Sequence, residues 1–305
     1  MSVSTRTAVV HLVRHANGME PFETFLSSYR RVDPGIEHDL VLLFKGFPDA
    51  QASAPYLERA QGAVAGSVSV PDTGFDLRAY FEAARTLRHE RVCFLNSYSE
   101  ILAPGWLGLL ERALQEPGVG AAGATGSWTS FLSYSRWQLG LDDPYASAFP
   151  DRGSVRRTMH EISGVRYVGD GHHWVTSLVN FVRDAPSMPL FPSVHLRTNA
   201  FLMRREEFRR LRSGSLTTKR AVYRMESGRR SLTKQLHARG RRTVVVDRHG
   251  AARDWPDWHE AAVFWQERQQ HLLVSDNQTR LYAGGAPEWR RVLSGYAWGE
   301  RARPG

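Results

Sequence analysis

The segment between Arg91 and Trp106 passes from an apolar run directly into a group of polar side chains. Residues 92–95 are typical of a buried strand. In an open α/β sheet, ligands bind at the carboxyl ends of the strands, so we expect the residues after Leu95 to contact a ligand. Their amide, hydroxyl and carboxylate groups suit a polar substrate. They are Asn96, Ser97, Tyr98 and Glu100.

Two carboxylates flank a glycine after another strand-like segment, which ends at Val70. Asp72 and Asp76 could accept hydrogen bonds from a nucleobase or from sugar hydroxyls, and Gly74 allows close approach of the backbone to a ligand. The same residues also suit a turn at Asp72 and a helix N-cap at Asp76. The sequence leaves both interpretations open.

The elements that would position these side chains alternate along the first half of the chain. Apolar runs predict strands, and helical spacing of apolar residues predicts helices between them. We predict strands at residues 8–13, 40–44, 63–70 and 92–95, and helices near 22–29 and 76–87. This alternation is typical of an α/β fold with a mostly parallel sheet flanked by helices. Arg14 and Asn17 would then lie at the end of the first strand, where they could hold a nucleotide.

The chain has 305 residues, enough for one large domain. The alternation fails between residue 127 and about residue 192, a stretch rich in Trp, Tyr, Arg, His and Pro. We therefore divide the chain into residues 1–126, an aromatic-rich insertion at 127–195, and residues 196–305. The tail from Arg253 onwards is predicted to begin as a helix. Since no linker separates the three parts, we expect one globular unit.

The composition points to anionic partners. The net charge is +9, and only three of the 40 basic Lys and Arg side chains are lysines. Guanidinium groups make bidentate contacts to phosphate, which favours a nucleotide diphosphate, a lipid headgroup or nucleic acid. The single cysteine, Cys93, excludes an intrachain disulfide. With no signal-peptide pattern and no apolar run of membrane-spanning length, this indicates a cytoplasmic protein.

In their order and spacing, these segments resemble the glycosyltransferases of the GT-A fold, and among them the inverting family 2. The resemblance extends over about residues 9–250. Its segments are VVHLVRHANG, KGFPD, VPDTGFD, FLNSYS, GWLGLLERAL with PGVGAAGATGS, LRTNAFLMRREEF, and MESGRRSLTKQLHARGRRTVVVDRHG. The resemblance implies that residues 1–126 bind a nucleotide-sugar donor, with a UDP-sugar as the first choice. It implies further that residues 127–195 hold the acceptor.

Inverting glycosyl transfer needs a carboxylate that takes the proton of an acceptor hydroxyl as this hydroxyl attacks the anomeric carbon. The resemblance places this base at Glu226, before a predicted helix. A carboxylate at a helix start is also favoured by the helix dipole without any catalytic role. The departing diphosphate needs positive charge. By analogy Arg280 in the carboxy-terminal segment would supply it, with Arg229 beside the base as an alternative.

The family resemblance also implies a D-x-D metal motif, but this chain has Asn96, Ser97 and Tyr98 at that strand end. Mg²⁺ and Mn²⁺ prefer carboxylate oxygens, for which neutral Asn and Tyr are poor replacements. Glu100 could supply one carboxylate. His249 occupies a position where similar enzymes provide a ligand, although it also suits a solvated loop. We expect reduced or absent dependence on a divalent metal.

The sequence does not decide whether the acceptor is a glycan, a lipid-linked molecule or a modified base in DNA. Four aromatic side chains of the insertion could stack on sugars or belong to the core: Trp128, Trp137, Tyr145 and Trp174. The Trp- and Arg-rich carboxyl terminus could contact an anionic membrane surface. The alternative from another class is a basic nucleic-acid-binding protein without catalysis, although the sequence has no concentrated basic run and no known reader motif.

Overall fold

A computed structural model of the chain describes residues 6–141, 145, 149, 151–163 and 170–305. The strands are β1 Thr7–Arg14, β2 Asp39–Lys45, β3 Val64–Val70, β4 Arg91–Leu95, β5 Glu100–Ile101, β6 Val119–Gly123, β7 Gly126–Ser127, β8 His195–Leu196, β9 Ala200–Arg204, β10 Arg242–Val246, β11 Ala252–Asp254 and β12 Val274–Ser275. The helices are α1 Glu20–Arg31, α2 Ala50–Arg59, α3 Asp76–Thr86, α4 Trp106–Gln115, α5 Phe131–Gln138, α6 Arg152–Ser163, α7 Asp170–Asp184, α8 Arg205–Arg209, α9 Lys219–Ser227, α10 Leu232–His237, α11 Asn277–Gly284 and α12 Pro287–Trp298.

Eight strands form the central sheet, in the order β11-β10-β6-β9-β4-β1-β2-β3. The neighbours β3, β2, β1 and β4 are parallel, as are β6 and β10. Strand β9 runs antiparallel between β4 and β6, and β11 is antiparallel to β10. The predicted α/β fold with a mostly parallel sheet flanked by helices is therefore confirmed.

The order of the strands reverses beside β1. The chain passes from β1 to β2 and β3 on one side, and then returns to β4 on the other side. At such a switch point the two connections leave in opposite directions, which opens a crevice at the carboxyl ends of the strands. The strand order thus places such a crevice between the ends of β1 and β4.

Both faces of the sheet are covered by apolar packing. Val10 and Leu12 of β1 pack with α3 in one core, whereas Val9 and Val13 pack with α1 and α4 in the other. Strands that are buried on both faces are apolar throughout instead of alternating. This explains why β1 and β2 appear in the sequence as continuous apolar runs.

The aromatic side chains of the insertion serve mainly as packing. Trp128, Trp137 and Tyr145 are at most 7% exposed and belong to the core around α5. They are therefore not available as stacking surfaces, whereas Trp174 on α7 is 57% exposed. Residues 142–144, 146–148, 150 and 164–169 of the predicted insertion lie outside the described residues. The acceptor role of the insertion and the three-part division of the chain stay predictions.

The helix predicted from Arg253 onwards is wrong. Strand β11 ends at Asp254, a 3₁₀ turn spans Trp255–Glu260, and no helix follows before α11. Ala262, Trp265 and Gln269 adopt φ angles of 53°, 45° and 53°. This left-handed conformation interrupts a right-handed helix, so the aromatic spacing there does not produce one.

Within the described part of the chain, no helix combines the length and the apolar character that crossing a membrane requires.

His11 on β1 is a polar side chain enclosed in the core. It is fully buried, and its ring stacks on that of Phe25 with 3.5 Å between centroids. Neither ring nitrogen has a hydrogen-bond partner among the described residues. Burial therefore lowers the pKa of His11 to about 3, because protonation would place an unpaired charge in an apolar environment.

The burial of His11 predicts that the protein loses stability in mild acid. The unfolded chain takes up the proton of His11 near its ordinary pKa of 6.5, but the folded chain does so only near 3. Stability is therefore lost as the pH falls between these values, by about 2 kcal/mol between pH 7 and pH 5. The variant His11→Leu should lack this contribution when urea unfolding is measured at both pH values. His15→Leu, at an exposed position, should keep the pH dependence of the unaltered chain; identical pH dependence in His11→Leu would contradict the prediction.

Candidate functional site

A cavity of about 460 Å³ lies at the carboxyl ends of β1, β4 and β6. Its described lining residues are Arg14, Phe75, Asp76, Leu77, Asn96, Ser127, Thr129, Phe131, His195, Arg197, Thr198, Asn199, Lys219, Val222, Tyr223, Glu226, Ser227, Phe264, Trp265, Asp276, Asn277, Gln278 and Tyr296. Four predicted site residues are among them: Arg14, Asp76, Asn96 and Glu226. The structure thus brings these four together although they are distant in sequence.

The segment directly before strand β9 carries three polar residues into the cavity. Because β9 is antiparallel to β4 and β6, the residues before it lie beside the carboxyl ends of those strands. The backbone amide of Asn96 donates to the carbonyl oxygen of Asn199 at 2.8 Å. Residues 197–199, Arg-Thr-Asn, therefore form one wall of the cavity.

Glu226 lies in the last turn of α9. Its Oε1 accepts a hydrogen bond from Thr198 Oγ1 at 2.5 Å. Burial raises the pKa of Glu226, and the nearby Asp76 adds to this, whereas the Thr198 hydrogen bond and the Arg197 charge oppose it. A carboxylate at the carboxyl end of a helix is disfavoured by the helix dipole. The interpretation of Glu226 as a dipole-stabilising residue at a helix start is therefore wrong.

Asp76 lies at the first position of α3, and Phe75 occupies the N-cap position without a side-chain cap. The N-cap interpretation of Asp76 is therefore wrong. Its carboxylate accepts no hydrogen bond from the residues that the structure describes. Burial raises the pKa of Asp76, while the charges of Arg14 and Lys45 oppose this rise. The cavity thus contains two carboxyl groups with raised pKa values, those of Asp76 and Glu226.

Asp72 lies outside the cavity lining, next to a positive cluster. The buried Lys45 ammonium donates a hydrogen bond to Asp72 Oδ1, and Arg14 Nη2 lies 3.9 Å from the same oxygen. The Lys45 hydrogen bond lowers the pKa of Asp72. Arg14 Nε is buried without a hydrogen-bond partner in the described part of the chain. Arg14 thus contacts Asp72 on one side and lines the cavity on the other.

The polar group after β4 is used largely for local structure. Asn96 Oδ1 accepts hydrogen bonds from Tyr98 N at 3.1 Å and from Ser99 Oγ at 3.0 Å. Asn17 Nδ2 donates to Ser97 Oγ at 2.8 Å. Asn17 and Tyr98 do not line the cavity. Their predicted binding roles stay predictions, and the structure gives both a part in holding this turn.

The residues considered for a metal site are engaged with other side chains. Glu100 lies 3.6 Å from Arg280, and the His249 ring packs edge-on against His271. Across residues 6–141, 145, 149, 151–163 and 170–305, no three His, Cys, Asp or Glu side chains group together as metal ligands. Because Asn96 Oδ1 already accepts two hydrogen bonds, this oxygen is a poor ligand for a divalent cation. The metal roles of Glu100 and His249 stay predictions.

Neither arginine proposed for diphosphate binding lines the cavity. Arg280 contacts Glu100 and Ser275, and Arg229 is exposed. Their roles stay predictions. Among the residues that the structure describes, Arg14 and Arg197 are the two arginines that line the cavity.

A buried network in the cavity wall was not predicted from the sequence. Arg197 Nη2 pairs with Asp276 Oδ2 at 2.8 Å, and its guanidinium lies 4.0 Å from the ring centroid of Phe264. The Asp276 side chain is 1% exposed and also caps α11 through Thr279 N. The polar run His-Leu-Arg-Thr-Asn at 195–199, placed directly before an apolar strand, was the signal in the sequence.

His195 is a second missed residue of the cavity. Its Nδ1 lies 2.6 Å from the carbonyl oxygen of Ser193, which can only accept, so Nδ1 carries the proton. Burial lowers the pKa of His195 to about 4. The imidazole is therefore neutral near pH 7, and Nε2 is an acceptor.

No protein-family model and no curated protein matches the chain. One similar solved structure is that of S. aureus TarS residues 1–349 in complex with UDP-GlcNAc, with a TM-score of 0.32 and 15% identity over 39% of this chain and 34% of that one. A second is that of the galactosyltransferase LgtC in complex with donor and acceptor sugar analogs. Its TM-score is 0.39, with 11% identity over 76% of this chain and 69% of that one. A third is that of the mannosyltransferase PcManGT from Pyrobaculum calidifontis in complex with GDP-Man and Mn²⁺. Its TM-score is 0.32, with 15% identity over 61% of this chain and 76% of that one. The chain thus spans about a third of the TarS structure.

The Arg197–Asp276 pair predicts a large cost of removing the arginine. In Arg197→Met the Asp276 carboxylate stays buried without its partner, so the free energy of unfolding should fall by about 3–5 kcal/mol. The double variant Arg197→Met/Asp276→Asn should recover part of this loss, since asparagine keeps the cap without the charge. Urea unfolding measures all three differences.

The matched control is the Arg242–Asp254 pair, whose side chains are 40% and 44% exposed. Arg242→Met should cost at most about 1 kcal/mol, because water screens an exposed pair. Equal losses in Arg197→Met and Arg242→Met would show that burial does not strengthen the first pair.

Proposed function

We propose that the chain is a glycosyltransferase that moves a sugar from a nucleotide-sugar donor to an acceptor hydroxyl with inversion. The observation that carries the proposal is the cavity at the strand ends, where the carboxylates Glu226 and Asp76 meet the cationic side chains Arg14 and Arg197. Proton transfer needs a carboxylate, and the departing diphosphate needs positive charge. A single cavity supplies both.

Glu226 acts as the base in this proposal. Thr198 fixes one carboxylate oxygen, Oε1, and the other accepts no hydrogen bond from the described residues. The free oxygen takes the proton of the acceptor hydroxyl while the acceptor oxygen bonds to the anomeric carbon. The bond from this carbon to the diphosphate breaks on the opposite face, and the electron pair leaves with the diphosphate. Attack from the face opposite the leaving group inverts the configuration.

The nucleotide sugar lies against the ends of β1 and β4 in this proposal. Asp76 accepts hydrogen bonds from hydroxyl groups of the donor, and Arg14 faces its phosphates. Phe75, which is 38% exposed at the cavity wall, offers a surface for stacking of a base. A UDP-sugar is the first donor to test. The acceptor presents a hydroxyl group, whether it belongs to a glycan, a lipid-linked molecule or a modified base in DNA.

Replacing the base should abolish most of the activity. Glu226→Gln keeps the shape and the Thr198 contact but cannot take a proton, so turnover should fall about 100- to 10,000-fold. The measurement is release of nucleotide from a panel of UDP-, GDP- and dTDP-sugars, with and without Mn²⁺. Thermal unfolding of the variant confirms that it is folded.

Glu58→Gln, at an exposed position on α2, is the control and should keep full activity. Full activity in Glu226→Gln would remove this residue from the base role. Absence of both binding and turnover of every sugar nucleotide by the unaltered chain would refute the glycosyltransferase proposal itself.

The pH dependence of activity should change when a neighbour that alters the pKa of Glu226 is replaced. Because its pKa is raised above the ordinary 4.5, activity should decline on acidification at a higher pH than for an ordinary glutamate. Thr198→Val removes a hydrogen bond that lowers this pKa, so the acidic limb of kcat/KM should move to higher pH. Asp76→Asn removes a negative charge that raises it, so the limb should move to lower pH. Shifts of both variants in the same direction would contradict this assignment.

A further inference from the structure

Asn199 presents an unpartnered donor to the cavity. The residue is 4% exposed, and it lines the cavity directly before β9. Its Nδ2 is buried and finds no hydrogen-bond partner among the described residues. Leaving a buried donor unpaired is energetically unfavourable, so the position is better explained by a partner that arrives with the ligand.

The hydrogen-bond network behind Asn199 fixes the orientation of its amide. Arginine can only donate, and Arg197 Nη1 donates to Thr125 Oγ1 at 3.4 Å. The Thr125 hydroxyl then donates its own proton to Asn199 Oδ1 at 2.7 Å. The side-chain oxygen of Asn199 is thereby held on Thr125, which leaves the NH₂ group as the end of the amide available to a ligand.

The amide lies beside the proposed base. Thr198, which precedes it in the chain, holds Glu226, and the Asn199 carbonyl oxygen accepts the backbone amide of Asn96 at the end of β4. A base at Glu226 must meet the acceptor hydroxyl at the anomeric carbon. Asn199 lies one residue from Thr198, which holds Glu226, and so lies near the position where a ring carrying that carbon would have to bind.

We propose that Asn199 Nδ2 donates a hydrogen bond to an oxygen of the transferred sugar, and that Thr125 is the positioning residue that orients this amide. The inference rests on the glycosyltransferase function proposed above. It makes Asn199 a determinant of which sugar is accepted, because a donor built into a buried site discriminates strongly against a sugar that lacks the matching oxygen.

The experiment compares binding of UDP with binding of UDP-glucose and UDP-N-acetylglucosamine, by calorimetry and thermal shift. The unaltered chain should bind at least one UDP-sugar more tightly than UDP. Asn199→Asp replaces the donor by an acceptor, so its affinity for that UDP-sugar should fall about 10- to 100-fold while its affinity for UDP is kept. Asn180→Asp, on α7 outside the cavity, is the control for the added charge and should bind both ligands as the unaltered chain does.

Two substitutions at Thr125 test the orientation of the amide without altering the residue that contacts the sugar. Thr125→Val removes the hydroxyl and should weaken UDP-sugar binding in the same selective way. Thr125→Ser keeps the hydroxyl and should bind the UDP-sugar as the unaltered chain does. If Thr125 acted only through its shape, replacing its hydroxyl by a methyl group would not weaken binding. This pair also decides the question if Asn199→Asp does not fold.

The outcomes separate this inference from the proposed function. If the unaltered chain binds no sugar nucleotide, the proposed function fails and this inference fails with it. If it binds a UDP-sugar more tightly than UDP but neither Asn199→Asp nor Thr125→Val changes that preference, only the assignment of Asn199 is overturned. A rise confined to the KM of the acceptor would likewise overturn it, because the amide would then face the acceptor.

Discussion

The placement of one antiparallel strand is the constraint on which the site depends. Strand β9 lies between β4 and β6 and forms hydrogen bonds with both. In an otherwise parallel region, this reversal brings the amino-terminal end of β9 to the edge where the other strands have their carboxyl ends. Residues 197–199 consequently meet Asn96 and Thr125, although Thr125 and Asn199 are 74 positions apart in the chain. Without the reversal, these side chains would lie at the opposite edge of the sheet.

Charge is distributed unequally around the cavity. Arg197 is balanced by the buried Asp276, which also caps α11 and so connects the carboxy-terminal segment to the cavity wall. Arg14 is balanced only in part, by an exposed Asp72 that also accepts a hydrogen bond from Lys45. Asp76 and Glu226 are half-buried, burial raises the pKa of both, and the charge of Asp76 adds to the rise at Glu226. The cavity thus combines carboxylates suited to proton transfer with a cation not fully neutralised by the protein.

The sequence predicted most elements of the first half, although not helix α2, because those elements depend on local physics. Strands buried on both faces must be apolar throughout, and the helices between them repeat apolar residues at helical spacing. The prediction of a helix beyond Arg253 was wrong. Trp258, Phe264 and Trp265 are buried, as the aromatic composition suggests, but positive φ angles at Ala262, Trp265 and Gln269 set the path of the chain. Such angles at residues other than glycine have no signature in sequence.

The sequence by itself determined the fold class, and it marked the strand end at Asn96 together with Arg14, Asp76 and Glu226 as candidates for a site. Only the tertiary structure decided which candidates meet in one cavity, and that Asn17, Tyr98 and Arg280 contact other side chains instead. It also added Arg197 and Asn199. The physical reason is that residue type and local pattern act over a few positions, whereas a site is made by strands paired across the sheet.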